Sequence, residues 1–143
     1  MKIYLTIIFL IIFRAAFSQS KIGSVDISGN DYFTDYEIQN MMVSKKDGSL
    51  REDQFNLDLK TIRDKYKSSG FLFMKFDKAA KNFSEDSAIV DITLEIKEGS
   101  RINIGIIEIK GNRIFSDEEI LNLFSSKKGS VLNDNLLNED INE

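Results

Sequence analysis

Displacing this chain against itself by about 82 residues brings it into register. Ile22-Gly23 then meets Ile104-Gly105, and Val25-Asp26-Ile27 meets Ile107-Glu108-Ile109. Gly29-Asn30 falls on Gly111-Asn112, and Phe33 on Phe115. Asp35, Glu37, Ile38 and Asn40 fall on Asp117, Glu119, Ile120 and Asn122. Ser44-Lys45-Lys46 falls on Ser126-Lys127-Lys128, and Asp58 on Asp140. Such a period is too long for a solenoid and suits a small domain in tandem. The second copy stops about halfway, at Glu143. The expected units are therefore residues 21–99, and residues 101–143 as an incomplete second repeat.

Each unit carries the same signals. Val25 and Ile27 alternate with Ser24, Asp26 and Ser28, the pattern of a half-buried strand, and Ile107 and Ile109 repeat it. The Gly-Asn pairs end these strands with turn residues. Thr34 with Glu37, and Ser116 with Glu119, form capping-box patterns that start a helix. Phe33 with Ile38, and Phe115 with Ile120, are spaced as hydrophobic staples. In the first unit Ser49-Leu50-Arg51-Glu52 reads as another capping box. Phe55, Leu59, Ile62 and Tyr66 follow it on one helical stripe, and Gly70 is the stop. Phe71 to about Ala80 reads as a strand and 82–87 as a turn. Ala88, Val90, Ile92, Leu94 and Ile96 then alternate with Ile89, Asp91, Thr93, Glu95 and Lys97, the clearest strand pattern in the chain. The order is β-α-α-β-β. The fold class is α+β, a small sheet with two helices over one face.

The first residues are a separate object. Met1-Lys2 is positive, Ile3–Phe13 is apolar apart from Thr6, and Ala16-Phe17-Ser18 precedes Gln19. That is the shape of a secretory signal peptide over residues 1–18, with Arg14 untypically near the cut. The apolar run is much shorter than the roughly 20 residues of a spanning helix. The competing expectation is an uncleaved anchor.

Composition removes several functions. With no His and no Cys, the chain lacks the commonest general base, thiolate ligands and disulfides. A net charge of −4 argues against nucleic acid as the main partner. Asp117-Glu118-Glu119 invites a metal or acid–base reading, but acids in a helix first turn are favoured by the macrodipole alone. No catalytic, cofactor-binding or metal-binding residue is expected. Lys45-Lys46 and Lys127-Lys128 recur in equivalent loops, either as a basic spot for a partner or lipid headgroups or as solvated helix ends.

Taken in order, these segments resemble the POTRA domain family, most closely the repeats of BamA-like outer-membrane assembly factors. The likeness rests on Ile107 to Asn112 followed by Phe115 to Ile120, and on Asp58-Leu59 through Tyr66 to Gly70-Phe71. It rests also on Val90 to Gly99 leading into Ile104-Gly105. It covers everything after residue 18. The resemblance implies a periplasmic array associated with the outer membrane, which binds unfolded outer-membrane β-barrel proteins and accessory assembly subunits. The barrel itself lies outside this sequence. Two-partner secretion transporters carry similar repeats, and an uncleaved N-terminus would fit an inner-membrane anchored cell-division protein. A small secreted hydrolase is the alternative from another class, disfavoured by the lack of His. The family's strand order implies that the Phe71–Ala80 strand is an edge. Strand addition is therefore expected along Phe73, Met74, Lys75, Phe76, Asp77 and Lys78, which mix aromatics with charges. The same residues also suit an ordinary edge guarded by its charges.

Overall fold

A computed structural model describes residues 19–142. The segment read as a signal peptide lies outside the described residues. Among the described residues no helix is long and apolar enough to cross a membrane.

The first unit runs β1 (Lys21–Ser28), α1 (Asp35–Met41), α2 (Glu52–Ser68), β2 (Lys75–Phe83) and β3 (Ile89–Lys97). β3, last in sequence, is central in space, and the sheet order is β1-β3-β2. It pairs in parallel with β1, from Lys21↔Ile89 to Ser28↔Glu95, and antiparallel with β2, from Lys75↔Lys97 to Phe83↔Val90. Val90, Ile92, Leu94 and Ile96 are buried under the helices, while Asp91, Glu95 and Lys97 face solvent. The alternation in the sequence thus becomes a sheet with one covered face. Ile22, Ile38, Phe55, Ile62, Tyr66 and Phe71 meet it from β1, the helices and the turn after α2.

Both outer strands are broken by a register shift. β1 slips between Ile22 and Ser24, and β2 between Phe76 and Lys78. The β2 shift lets Phe76 and Ala79 both pair with core-facing residues of β3, Ile96 and Leu94. Bulges of this kind twist an edge and interrupt its pairing.

Two readings of the sequence are corrected. The helix over the Phe55–Tyr66 stripe starts with Arg51 as N-cap, without a side-chain cap, and Ser49 plays no part in it. Ser49 instead bridges to Lys21, and Leu50 N–H bonds to Ser20 O, so this stretch is spent lining the start of β1. The strand read as Phe71 to Ala80 begins only at Lys75 and continues to Phe83. Phe71 N–H returns to Tyr66 O and Met74 N–H to Phe71 O, so a turn closes α2 and drives Phe71 and Met74 into the core.

The second unit reproduces the fasteners of the first. α3 (Asp117–Leu123) and α4 (Asp134–Asn142) form. Thr34 and Ser116 both complete capping boxes, with Glu37 and Glu119 each accepting from the cap N–H. These backbone hydrogen bonds hold both glutamates below the usual carboxylate range. Asn30 Nδ2 donates to Phe33 O and Asp35, as Asn112 Nδ2 does to Phe115 O and Asp117. Ile22 N–H to Gly48 O becomes Ile104 N–H to Ser130 O. Residues 104–109, expected as a strand, form none: β1 is held by β3, and no such strand lies beside 104–109 among the described residues. Phe33 is buried, whereas its counterpart Phe115 is 62% exposed.

Candidate functional site: an open sheet edge and a charged junction

β2 is an edge, as the strand order requires. Of the six residues expected to receive a strand, four lie on it and two do not. Lys75, Phe76, Asp77 and Lys78 open β2, with Asp77 at the bulge. Met74 is buried just before the strand, and Phe73 stands beside it at 72% exposure. Phe76 packs against the core, with the Arg63 guanidinium 5.8 Å from its ring centre. Lys75 pairs with Asp77 at 2.6 Å and Lys78 with Glu95 at 3.4 Å. The Lys75 ammonium holds the Asp77 carboxyl below its usual range. What remains for a partner is main chain, the exposed rings of Phe73 and Phe83, and two exposed ion pairs. Exposed pairs of this kind each contribute no more than about 1 kcal/mol and yield readily to another partner.

Lys81 sits on the covered side of β2, opposite Ile92. Its ammonium reaches Glu52 at the start of α2 and lies 5.3 Å from the Phe55 ring centre. One lysine therefore ties the edge strand to the helix behind it, by charge and by its apolar stem.

A buried carboxylate ties down each unit's first helix. Asp58, on α2, accepts from Val43 N–H at 2.9 Å, Ser44 N–H at 2.8 Å and the Gln54 amide at 3.1 Å. Asp140 accepts from Ser125 and Ser126 N–H in the same way. Burial opposes ionisation of Asp58, but these donors outweigh it and its carboxyl is held below the usual range. The Ser44 hydroxyl lies near enough to favour the ionised form, yet it is buried without a partner of hydrogen-bonding geometry. The repeat marks Asp58 and Asp140 as equivalent, but nothing in composition or periodicity signals that they are buried anchors.

The units join through a compact cluster. Glu98 Oε1 accepts from Tyr66 Oη and from Tyr32 N–H. Arg101 stacks over the Tyr32 ring at 5.0 Å and donates from Nε to Ser69 O at the end of α2. Ile102 N–H bonds to Gly70 O. Gly70 has φ +94°, and a Cβ there would come within 2.5 Å of Val131 Cγ1. Glycine is required for the turn and for the approach of the second unit.

Among the described residues the sheet leaves both outer strands, β1 and β2, at its edges. The chain belongs to the POTRA family, described as the surface antigen variable number repeat, which matches residues 20–99 and 102–143. A putative outer membrane protein assembly factor of Treponema pallidum is 23% identical over 124 residues, spanning 80% of this chain and 15% of that protein. The chain thus corresponds to a small part of that relative's length. Among solved structures, Haemophilus ducreyi BamA lacking POTRA domains 1–3 aligns with TM-score 0.60 at 18% identity, over 87% of this chain and 23% of that one. POTRA4 of Haemophilus influenzae BamA aligns with TM-score 0.50 at 18% identity, over 61% of this chain and all of that one. These likenesses establish the fold: a mixed three-stranded sheet with helices over one face.

Proposed function

We propose that this chain is a periplasmic POTRA array of an outer-membrane β-barrel assembly or insertion protein. It receives unfolded outer-membrane β-barrel proteins and docks accessory assembly subunits, without enzymatic chemistry of its own. The observation that carries this reading is the free side of β2, whose backbone N–H and C=O groups are presented along Lys75–Phe83. A client strand pairs there by main-chain hydrogen bonds, which are nearly blind to sequence. Phe73, at the mouth of the edge, gives an incoming aromatic or aliphatic side chain a surface to cover. Residues 21–99 and 101–143 act as successive units, the junction at Gly70 and Arg101 setting their relative direction.

The test is binding of an extended peptide copied from a barrel strand, followed by amide chemical shifts in the full chain. Shifts concentrated on Lys75–Phe83, lost when alternate peptide amides are N-methylated, support strand addition. Binding that ignores N-methylation, or that leaves β2 unshifted, overturns it.

A further inference from the structure

The units meet a second time beside the Gly70 joint, where the end of α2 faces the start of α4. Between them lies a cavity of about 340 Å³, walled by Lys60, Asp64 and Lys67 on one side and by Asn133 and Asp134 on the other. Lys60 is taken by Asp64, one helical turn on. Lys67, half-buried, and Asp134, exposed, form no ion pair among the described residues. In the first unit the position of Asp134 belongs to Glu52, which Lys81 of the same unit holds. Asp134 has no such partner among the described residues. Lys67 stands in the last turn of α2 and Asp134 in the first turn of α4, where each helix end favours the charge it carries. The same placement brings opposite charges to the two walls of one gap.

The hydrogen bonds that join the units converge on Ser69 and Gly70. Arg101 Nε donates to Ser69 O and Ile102 N–H to Gly70 O. Leu132 N–H in turn donates to Ile102 O. Asn133 follows directly and caps α4, its side chain accepting from Asn135 N–H at 3.1 Å. The first turn of α4 is thus fastened to the tether and not to α2. Hydrogen bonds gathered near one point resist translation well and rotation poorly. A turn about Ser69–Gly70 carries Asp134 toward Lys67 or away from it while those bonds persist.

We infer that the joint between the units is a hinge with an ionic latch. In its closed arrangement the Lys67 ammonium pairs with the Asp134 carboxylate across the cavity. In its open arrangement, the one seen here, the two stand apart. Lys67 and Asp134 are positioning residues that select the angle between residues 21–99 and 101–143. Both groups meet solvent, so dissolved salt screens their attraction and loosens the latch. The inference concerns the geometry of the array and stands whatever the array binds.

The experiment measures spin-label distances by pulsed electron resonance in the full chain. The chain has no Cys, so labels are placed through Glu85→Cys and Glu118→Cys, exposed positions in different units and outside the cavity wall. The expected result at low salt is two distances, for the closed and the open joint. Raising sodium chloride to about 1 M, where the Debye length is about 3 Å, should deplete the closed one. Lys67→Glu should lower the closed-to-open ratio up to about fivefold, the scale of a solvent-screened ion pair. Asp134→Asn should do the same from the other unit. The exchanged pair, Lys67→Glu with Asp134→Lys, should restore the ratio of the natural chain. That restoration separates a latch from general damage to either helix, and an unchanged melting temperature certifies each variant as folded. A single distance that ignores salt overturns the inference. So does a ratio unmoved by Lys67→Glu and Asp134→Asn, or an exchanged pair no better than Lys67→Glu alone.

Discussion

The Tyr66 hydroxyl donates to Glu98 Oε1 across 2.8 Å, linking the middle of the core to the residue that follows β3. Tyr66 is fully buried, in edge-to-face contact with Phe33 and Phe71. Burial, reinforced by the neighbouring Glu98 carboxylate, pushes its phenol far above the usual tyrosine range. An unfolded tyrosine ionises near pH 10, while the folded one stays protonated. The stability this group contributes is therefore complete below about pH 10 and falls as pH rises further. Urea midpoints at pH 8 and pH 11 should show an alkaline loss in the natural chain. Tyr66→Phe should cost about 1–2 kcal/mol at pH 8 and flatten that loss.

Asp58→Ala should be among the most damaging polar substitutions. It strands the N–H groups of Val43 and Ser44, one of them buried, at a cost of about 2–3 kcal/mol by denaturant unfolding. Asp58→Asn keeps one acceptor and should cost less. Because the folded carboxyl is held below its unfolded value, its contribution is present above about pH 4 and is lost as pH falls through the folded value. The natural chain should lose stability in that acid window, and Asp58→Asn should lose less there.

Thr34→Ala removes the side-chain acceptor of the α1 capping box and should cost about 1 kcal/mol. Phe33 is 8% exposed and touches Tyr32 and Tyr66 edge-on, so Phe33→Ala should cost about 3 kcal/mol. The matching change Phe115→Ala, at an exposed ring, should leave the main denaturant midpoint almost unmoved.

Gly70→Ala tests the joint. The positive φ and the approach of Val131 both oppose a methyl group, at a cost of about 1–2 kcal/mol from backbone strain. Hydrogen exchange should accelerate at the Ile102 amide, which bonds to Gly70 O, while the β3 amides keep their protection. Unaltered exchange at Ile102 would show that the second unit is held by other contacts.

Residues 21–99 alone should melt in one cooperative transition, since the buried cluster is assembled wholly within them. A featureless melt would place the unit boundary elsewhere.

The repeat, the order of elements and the capped helix starts are legible in the sequence because each is written locally. Thr34 and Glu37 are three residues apart, and the β3 alternation is continuous from Ile89 to Lys97. The edge position of β2 came from the family likeness, and Lys75, Phe76, Asp77 and Lys78 do lie on it. The late start of that strand was hidden, because Phe71 and Met74 look like strand residues until the turn after α2 consumes them. The false cap at Ser49 arose likewise: its pattern with Glu52 is sound, but pairing with Lys21 takes the backbone elsewhere. The register shift at Asp77, the Asp58 anchor and the cavity between α2 and α4 depend on which segments meet, and spacing along one segment carries no trace of that.

The central position of the last strand also governs how a unit comes into being. β1 waits for β3, some 60 residues of chain later, before its ladder can close, and among the described residues β2 has no other strand to pair with. During synthesis, both helices and both future edges are present before the piece between them arrives. Long-range closure of this kind is slow compared with helix formation. The first unit therefore passes through an interval in which its own sheet is two separate strands awaiting a third. Whatever else in the compartment offers an extended chain competes for that vacancy until β3 wins it by proximity.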